Sequence, residues 1–364
     1  MLDYRNHRED PARWAHELGI SLEAVQLYLA SEVVDLHIDS FIWHRVFGYD
    51  LGKRHGAAEA GSRRGWLGRS FWGHADLPRI REAQIGAAVW TITTNPVRSA
   101  AGRARALLRN VAAIQAVLAR ADEEVELVRD VAEHRAARSR GKHAAMLGIQ
   151  GGNALGPNLE ALTELPERAV LLVTLVHLSS SALGTTSSPL RFGSDSGLSD
   201  LGRELVRRLN DMRIFVDLAH LNRRGFFDAV EAHDRSQPLL VSHTGVSGAF
   251  AHWRNLDDEQ LYAVADTGGL VGVLYHPDFL AERAASVRAS TIVDHLGHVV
   301  QTIGEDFAAL GSDWDGAITT PPDMPTCLEL PRLVEIMLER GWKPERIQKV
   351  LGQNFLRVLK ALRG

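Results

Sequence analysis

Residues 33–39 read VVDLHID. A short, mostly apolar run that stops at polar residues is the mark of a strand buried on both faces, as in a parallel sheet. Side chains two apart on a strand point the same way, so His37 and Asp39 share a face and can hold one ion together. Seven further runs of this kind follow, at 87–94, 144–152, 170–177, 214–220, 239–243, 270–276 and 308–313. Between them lie stretches with helical spacing. Residues 201–209 read LGRELVRRL, and 100–119, 257–266, 290–303 and 330–339 are patterned similarly. Ser196 and Ser199 stand where the helix before the fifth run needs an N-cap.

Strand and helix alternating eight times predict a parallel sheet closed into a (β/α)8 TIM-like barrel. An open doubly wound sheet fits less well. No Gly-x-Gly-x-x-Gly follows the first run, and QGGN at 150–153 does not match it. Residues 1–32 are expected to form an N-terminal helical extension of one or two helices, and 33–364 the barrel as one domain. Residues 40–75 form a Gly- and aromatic-rich insertion whose Trp43, Trp66, Phe71 and Trp72 are expected to pack over the barrel top. A helix over 344–362 closes the chain.

Composition narrows the function classes. The chain is 45% hydrophobic and 24% charged, as in soluble globular proteins. A net charge of −4 and only short basic clusters, at 53–55 and 63–64, argue against a nucleic-acid partner. No apolar run approaches the roughly 18 residues of a membrane span, and the first residues carry no apolar leader, so no membrane partner is expected. Cys327 is the single cysteine, so no intrachain disulfide forms. A cytoplasmic location is the expectation that follows.

The polar residues at the ends of the runs are not scattered. The fourth to seventh runs end in His177, His220, His243 and His276, and the eighth leads into DWDG at 313–316. Strand C-termini of a closed barrel converge on one bowl, so these groups meet His37 and Asp39 there. Imidazole and carboxylate suit zinc and related divalent ions. Packing alone explains such a set poorly, because each buried unpaired polar group costs about 1–3 kcal/mol. Asp217 and Asp315, beside proposed ligands, are candidates for orienting a histidine ring. His74 reads as structural, and His143 as solvent-facing at the barrel bottom.

The chain carries, in this order, VDLHID (34–39), HADLPR (74–79), GIQGG (148–152), GLSDLG (197–202), VDLAH (216–220), VSH (241–243), RN (254–255) and GSDWDG (311–316). In these motifs and their order it resembles the membrane (renal) dipeptidase family of metal-dependent amidohydrolase barrels. The resemblance implies that His37 and Asp39 bind a first metal and that His220 and His243 bind a second. It implies further that Asp313 moves a proton between water and the leaving amine, that His177 polarises the scissile carbonyl, and that Arg254 pairs with a substrate carboxylate. A homodimer is a further implication.

Gln150 departs from the pattern. The family places a bridging glutamate there, and an amide is neutral. Two dications about 3.5 Å apart repel by roughly 19 kcal/mol at an effective dielectric near 20, before ligand charge is counted. The expectation is therefore one tight Zn2+, with a second site weak or absent. LYH at 274–276 also departs from the family. The expected function is hydrolysis of amide bonds in small substrates such as dipeptides, by metal-activated water. The alternatives are a lactone, cyclic amide or N-acyl amino acid as substrate, or a barrel that binds a ligand without turnover.

Overall fold

The computed structural model describes residues 2–55, 71–94, 98–189 and 196–364. Among these residues nine strands form one parallel sheet: β1 (Val34–Ile38), β2 (Ala87–Thr93), β3 (Val125–Leu127), β4 (His143–Gln150), β5 (Leu172–Thr174), β6 (Phe215–Asp217), β7 (Leu240–Thr244), β8 (Leu270–Val273) and β9 (Ala308–Leu310). The sheet runs β2-β1-β9-β8-β7-β6-β5-β4, and β2 also pairs with β4, which closes an eight-stranded barrel. The predicted (β/α)8 architecture is the one observed. Every residue of the eight barrel strands is buried, which is why their sequences read as runs rather than as alternations.

One strand was not expected. β3 pairs with β4 at His143–Ala145, on the flank that β5 joins only from Gly148 onward. It is three residues long with only Val125 buried, so it leaves no apolar run in the sequence. His143 begins β4 and is fully buried, contrary to the expectation of a solvent-facing residue. Its Nδ1 lies 2.9 Å from the Ile85 carbonyl, and its Nε2 accepts from the Trp90 indole N–H at 3.2 Å. A neutral imidazole satisfies both partners, so the ring is accommodated in the wall.

The helices begin where their caps lie. Ser199 Oγ accepts from Gly202 N at the start of Asp200–Asp211, and Asp257 forms a capping box with Gln260 at the start of Asp258–Ala265. Ser196 caps no helix. The N-terminal segment forms Pro11–Leu18 and Leu22–Ala30. Tyr28 donates to the Ala83 carbonyl, and Ser21 to Glu335 on Pro331–Glu339, so these helices are tied to the barrel's outer layer. Helix Phe41–Phe47 follows β1 directly and carries Trp43, whose ring stacks on Trp72 at 4.4 Å and whose indole N–H donates to the Asp315 carbonyl. Trp43 and Trp72 thus pack at the barrel mouth, while Phe71, expected to join them, is exposed, and Trp66 lies outside the described residues. The closing helix is broken by a π-turn at Lys349–Gln353, where Gly352 lies so close to the Glu32 carbonyl that a Cβ would overlap it.

Candidate metal centre and active site

Register across the barrel sets the level of the site. Thr93 pairs with Gln150, Gln150 with Thr174, and Thr174 with Asp217. Paired residues on parallel neighbours face the same side, so these four form one inward layer. The register slips between Asp35 and Ile38 on β1, and between Val241 and Thr244 on β7. Such irregularities re-aim side chains. Here they occur where His37 and His243 leave the two strands.

The rings of His37 and His243 lie 3.8 Å apart between centroids. Together with Asp313 they offer one ligand atom each, all within 4.8 Å of one another. His37 Nε2 is 3.6 Å from Asp39 Oδ2 and 3.8 Å from Asp313 Oδ1. His220 Nε2 faces His243 Nε2 at 2.8 Å, and the His177 ring meets His220 edge-on at 4.7 Å. Arg254 donates to the His243 carbonyl at 2.7 Å. Seven of the expected site residues are therefore in one contact network, and Gln150 joins them through the inward layer. His276 is not brought in: it precedes Pro277–Leu280, with Nδ1 3.4 Å from the Thr319 carbonyl.

Position carries a cost at two of these residues. His220 and Asp313 adopt left-handed φ values of 67° and 64°. Such angles on residues with side chains mark places where the surroundings enforce the conformation. Gly316 completes the turn after Asp313, and a Cβ there would overlap the Asp313 carboxylate.

The electrostatics follow burial. Burial pushes His220 and His243 well below the ordinary histidine range, and takes His177 down to about 4. His37 is also disfavoured by burial, but Asp39 and Asp313 more than offset this and raise it. Burial raises Asp313 to about 8, with Asp39 adding to the effect and His37 opposing it. Burial lowers Arg254 to about 10. His37 Nε2, Gln150 Oε1 and Arg254 Nε are buried with no hydrogen-bond partner. Orphaned groups of this kind are costly unless something binds them. Two imidazoles, one of them with its Nε2 unpaired, and a carboxylate fit a divalent ion of the zinc type.

Residues 22–363 match the membrane dipeptidase family, peptidase family M19. The chain belongs to that family. Dipeptidase tcpJ of Claviceps purpurea is 27% identical over 299 residues, spanning 79% of this chain and 69% of that protein. Among solved structures, the metallopeptidase dipeptidase AC superposes with a TM-score of 0.79 at 25% identity, covering 91% of this chain and 98% of the other. A metallopeptidase from Rhodobacter sphaeroides, solved with a phosphinate mimic of a dipeptide, gives 0.78 at 24% identity, covering 91% and 99%, and shares the fold. The chain is thus a metal-dependent hydrolase of amide bonds.

Some polar contacts around this dipeptidase-family site escaped sequence reading. Thr91 donates to Asp39, and Thr174 and Ser242 both donate to Asp217. Ser242 precedes His243, so strand alternation puts it on the opposite face; only the slip in β7 turns both inward. Asp217 reaches histidine through Ser242, not directly. Asp315 was expected to orient a ligand ring. Instead it holds His74 and Ser40, and so pins the insertion to the loop after β9.

Proposed function

We propose that this protein hydrolyses dipeptides or similarly small amides with one tightly held zinc ion, bound among His37, His243 and Asp313, with Asp39, His220 and Gln150 around it. The observation that carries this reading is the convergence of three ligand atoms within 4.8 Å at the mouth of the barrel, with His37 Nε2 buried and unpartnered. A divalent ion there supplies Lewis acidity and makes water a nucleophile near neutral pH.

The chain's own residues do the rest. Asp313, whose carboxylate lies 3.8 Å from His37 Nε2 at the ion site, takes a proton from the attacking water and returns it to the leaving amine. His177, held neutral, donates a hydrogen bond to the carbonyl oxygen as negative charge develops there. Arg254 has one arm committed to the His243 carbonyl, and its Nε is without a partner to offer a substrate carboxylate. A single tight ion is favoured by the charge count, since the neutral Gln150 offers one oxygen where a bridging anion would offset repulsion between two cations.

The test is direct. Protein stripped by chelator and reloaded with Zn2+ is assayed against a dipeptide library for release of free amino acids. Zn2+-dependent turnover is expected, lost on His37→Ala. Full zinc loading with no release from any dipeptide would sink the substrate assignment.

A further inference from the structure

Beneath the proposed ligands lies a buried arrangement of hydroxyl and carboxylate that the reaction itself does not use. Asp217, at the end of β6, accepts four hydrogen bonds: from Ser242 N at 2.9 Å and Ala219 N at 3.2 Å on one oxygen, and from Thr174 Oγ and Ser242 Oγ, both at 2.6 Å, on the other. Ser242 is completely buried, as is Asp217. The Ser242 hydroxyl also lies 2.8 Å from His243 Nδ1 and 3.4 Å from His37 Nδ1.

A serine hydroxyl has one proton and two lone pairs. Its proton goes to the Asp217 carboxylate, the shorter and charge-assisted contact. Towards both rings the oxygen is then an acceptor only. Each ring must present Nδ1–H to it, which leaves Nε2 as the nitrogen turned towards the ion site. This agrees with two independent features. His37 Nε2 is the ring atom without a partner, and His243 Nε2 is the atom that faces His220.

We propose that Ser242 and Asp217 form a relay that sets the tautomer of His243 on β7 and, through the same oxygen, orients His37 on β1. They are positioning residues, acting on ligands from β1 and β7, with Ser242 lying 205 residues from His37 along the chain. The proposal rests on the metal-site reading above, yet its central claim concerns the metal-free protein.

Asp217→Asn separates the relay from a packing role. The two backbone donors hold the amide oxygen, so the amide NH2 faces Ser242 and donates to it. The Ser242 proton must then turn to histidine, and His243 should switch to its Nε2–H form. Thr174→Val is the control: it removes a donor from the same carboxylate without touching the relay. Ring nitrogens of 15N-histidine-labelled, metal-free proteins are read by NMR, with the His243 signals assigned by their loss in His243→Gln. The expected result is Nδ1–H in wild type and Thr174→Val, and Nε2–H in Asp217→Asn. Zn2+ affinity, measured by competition with a chromophoric chelator, should fall by about 10–100-fold in Asp217→Asn and Ser242→Ala and stay near wild type in Thr174→Val. An unchanged His243 tautomer in folded Asp217→Asn overturns the relay. So do equal Zn2+ affinities across all four proteins, or an equal loss in Thr174→Val. A wild-type protein with no measurable Zn2+ affinity defeats the metal-site reading instead, and the NMR comparison still decides the relay.

Discussion

A neutral amide at Gln150 changes what the site can hold. Its Oε1 is buried and unpartnered, level with Thr93 and Thr174 on the inner face. Gln150→Glu adds one negative charge at that point. The variant is expected to retain a second equivalent of zinc after dialysis against limiting metal, where wild type retains one. Two firmly held equivalents in wild type would refute the electrostatic argument. At His220 and His243, whose Nε2 atoms lie 2.8 Å apart, replacement by Ala should lower metal content along with activity. Unchanged zinc stoichiometry in both variants would remove them from the ligand set.

Among elements, the loop after β9 is the most constrained. Asp313 and Asp315 both have left-handed φ, and Gly316 leaves the space that the Asp313 carboxylate fills. Gly316→Ala should push that carboxylate aside. The expected outcome is a fall in kcat of tenfold or more, with thermal stability changed far less, since a misplacement of about 1 Å costs on the order of a hundredfold in rate. Wild-type kcat in the Ala variant would show that Asp313 need not stand where it does. The slips in β1 and β7 work in the same direction, because each delivers a histidine to the mouth that a regular strand would aim elsewhere.

At the scale of the whole molecule, the barrel wall contains a pH-sensitive element away from the mouth. Burial pushes His143 down to about 3, and its two nitrogens are already committed to Ile85 and Trp90. A group whose folded pKa is depressed binds its proton more readily in the unfolded chain. Stability from this group is present above the unfolded value of about 6.5 and is lost as pH falls towards 3, at up to about 1.4 kcal/mol per pH unit. His143→Gln is expected to flatten the decline by about that slope. Urea unfolding of both proteins at pH 4, 5 and 6 measures it, and parallel declines would rule out His143 as a contributor.

The order of the strands, the (β/α)8 class and the polar residues at the strand ends were legible along the chain, because burial on both faces writes a local pattern and polar groups at strand ends fall at its boundary. His37, Asp39, His220, His243 and Asp313 could be named for that reason. Other features exist only once distant segments meet. Closure needs β2 against β4, the burial of His143 needs Trp90 and Ile85, and β3 is too short and too polar to announce itself. Ser242 is the clearest case. Regular alternation cannot turn Ser242 and His243 to one face, and the slip in β7 lets Ser242 lie between His37, His243 and Asp217. Periodicity records how each residue is buried within its own strand; which residues then share a hydrogen bond is decided by register between strands, and that only the closed barrel sets.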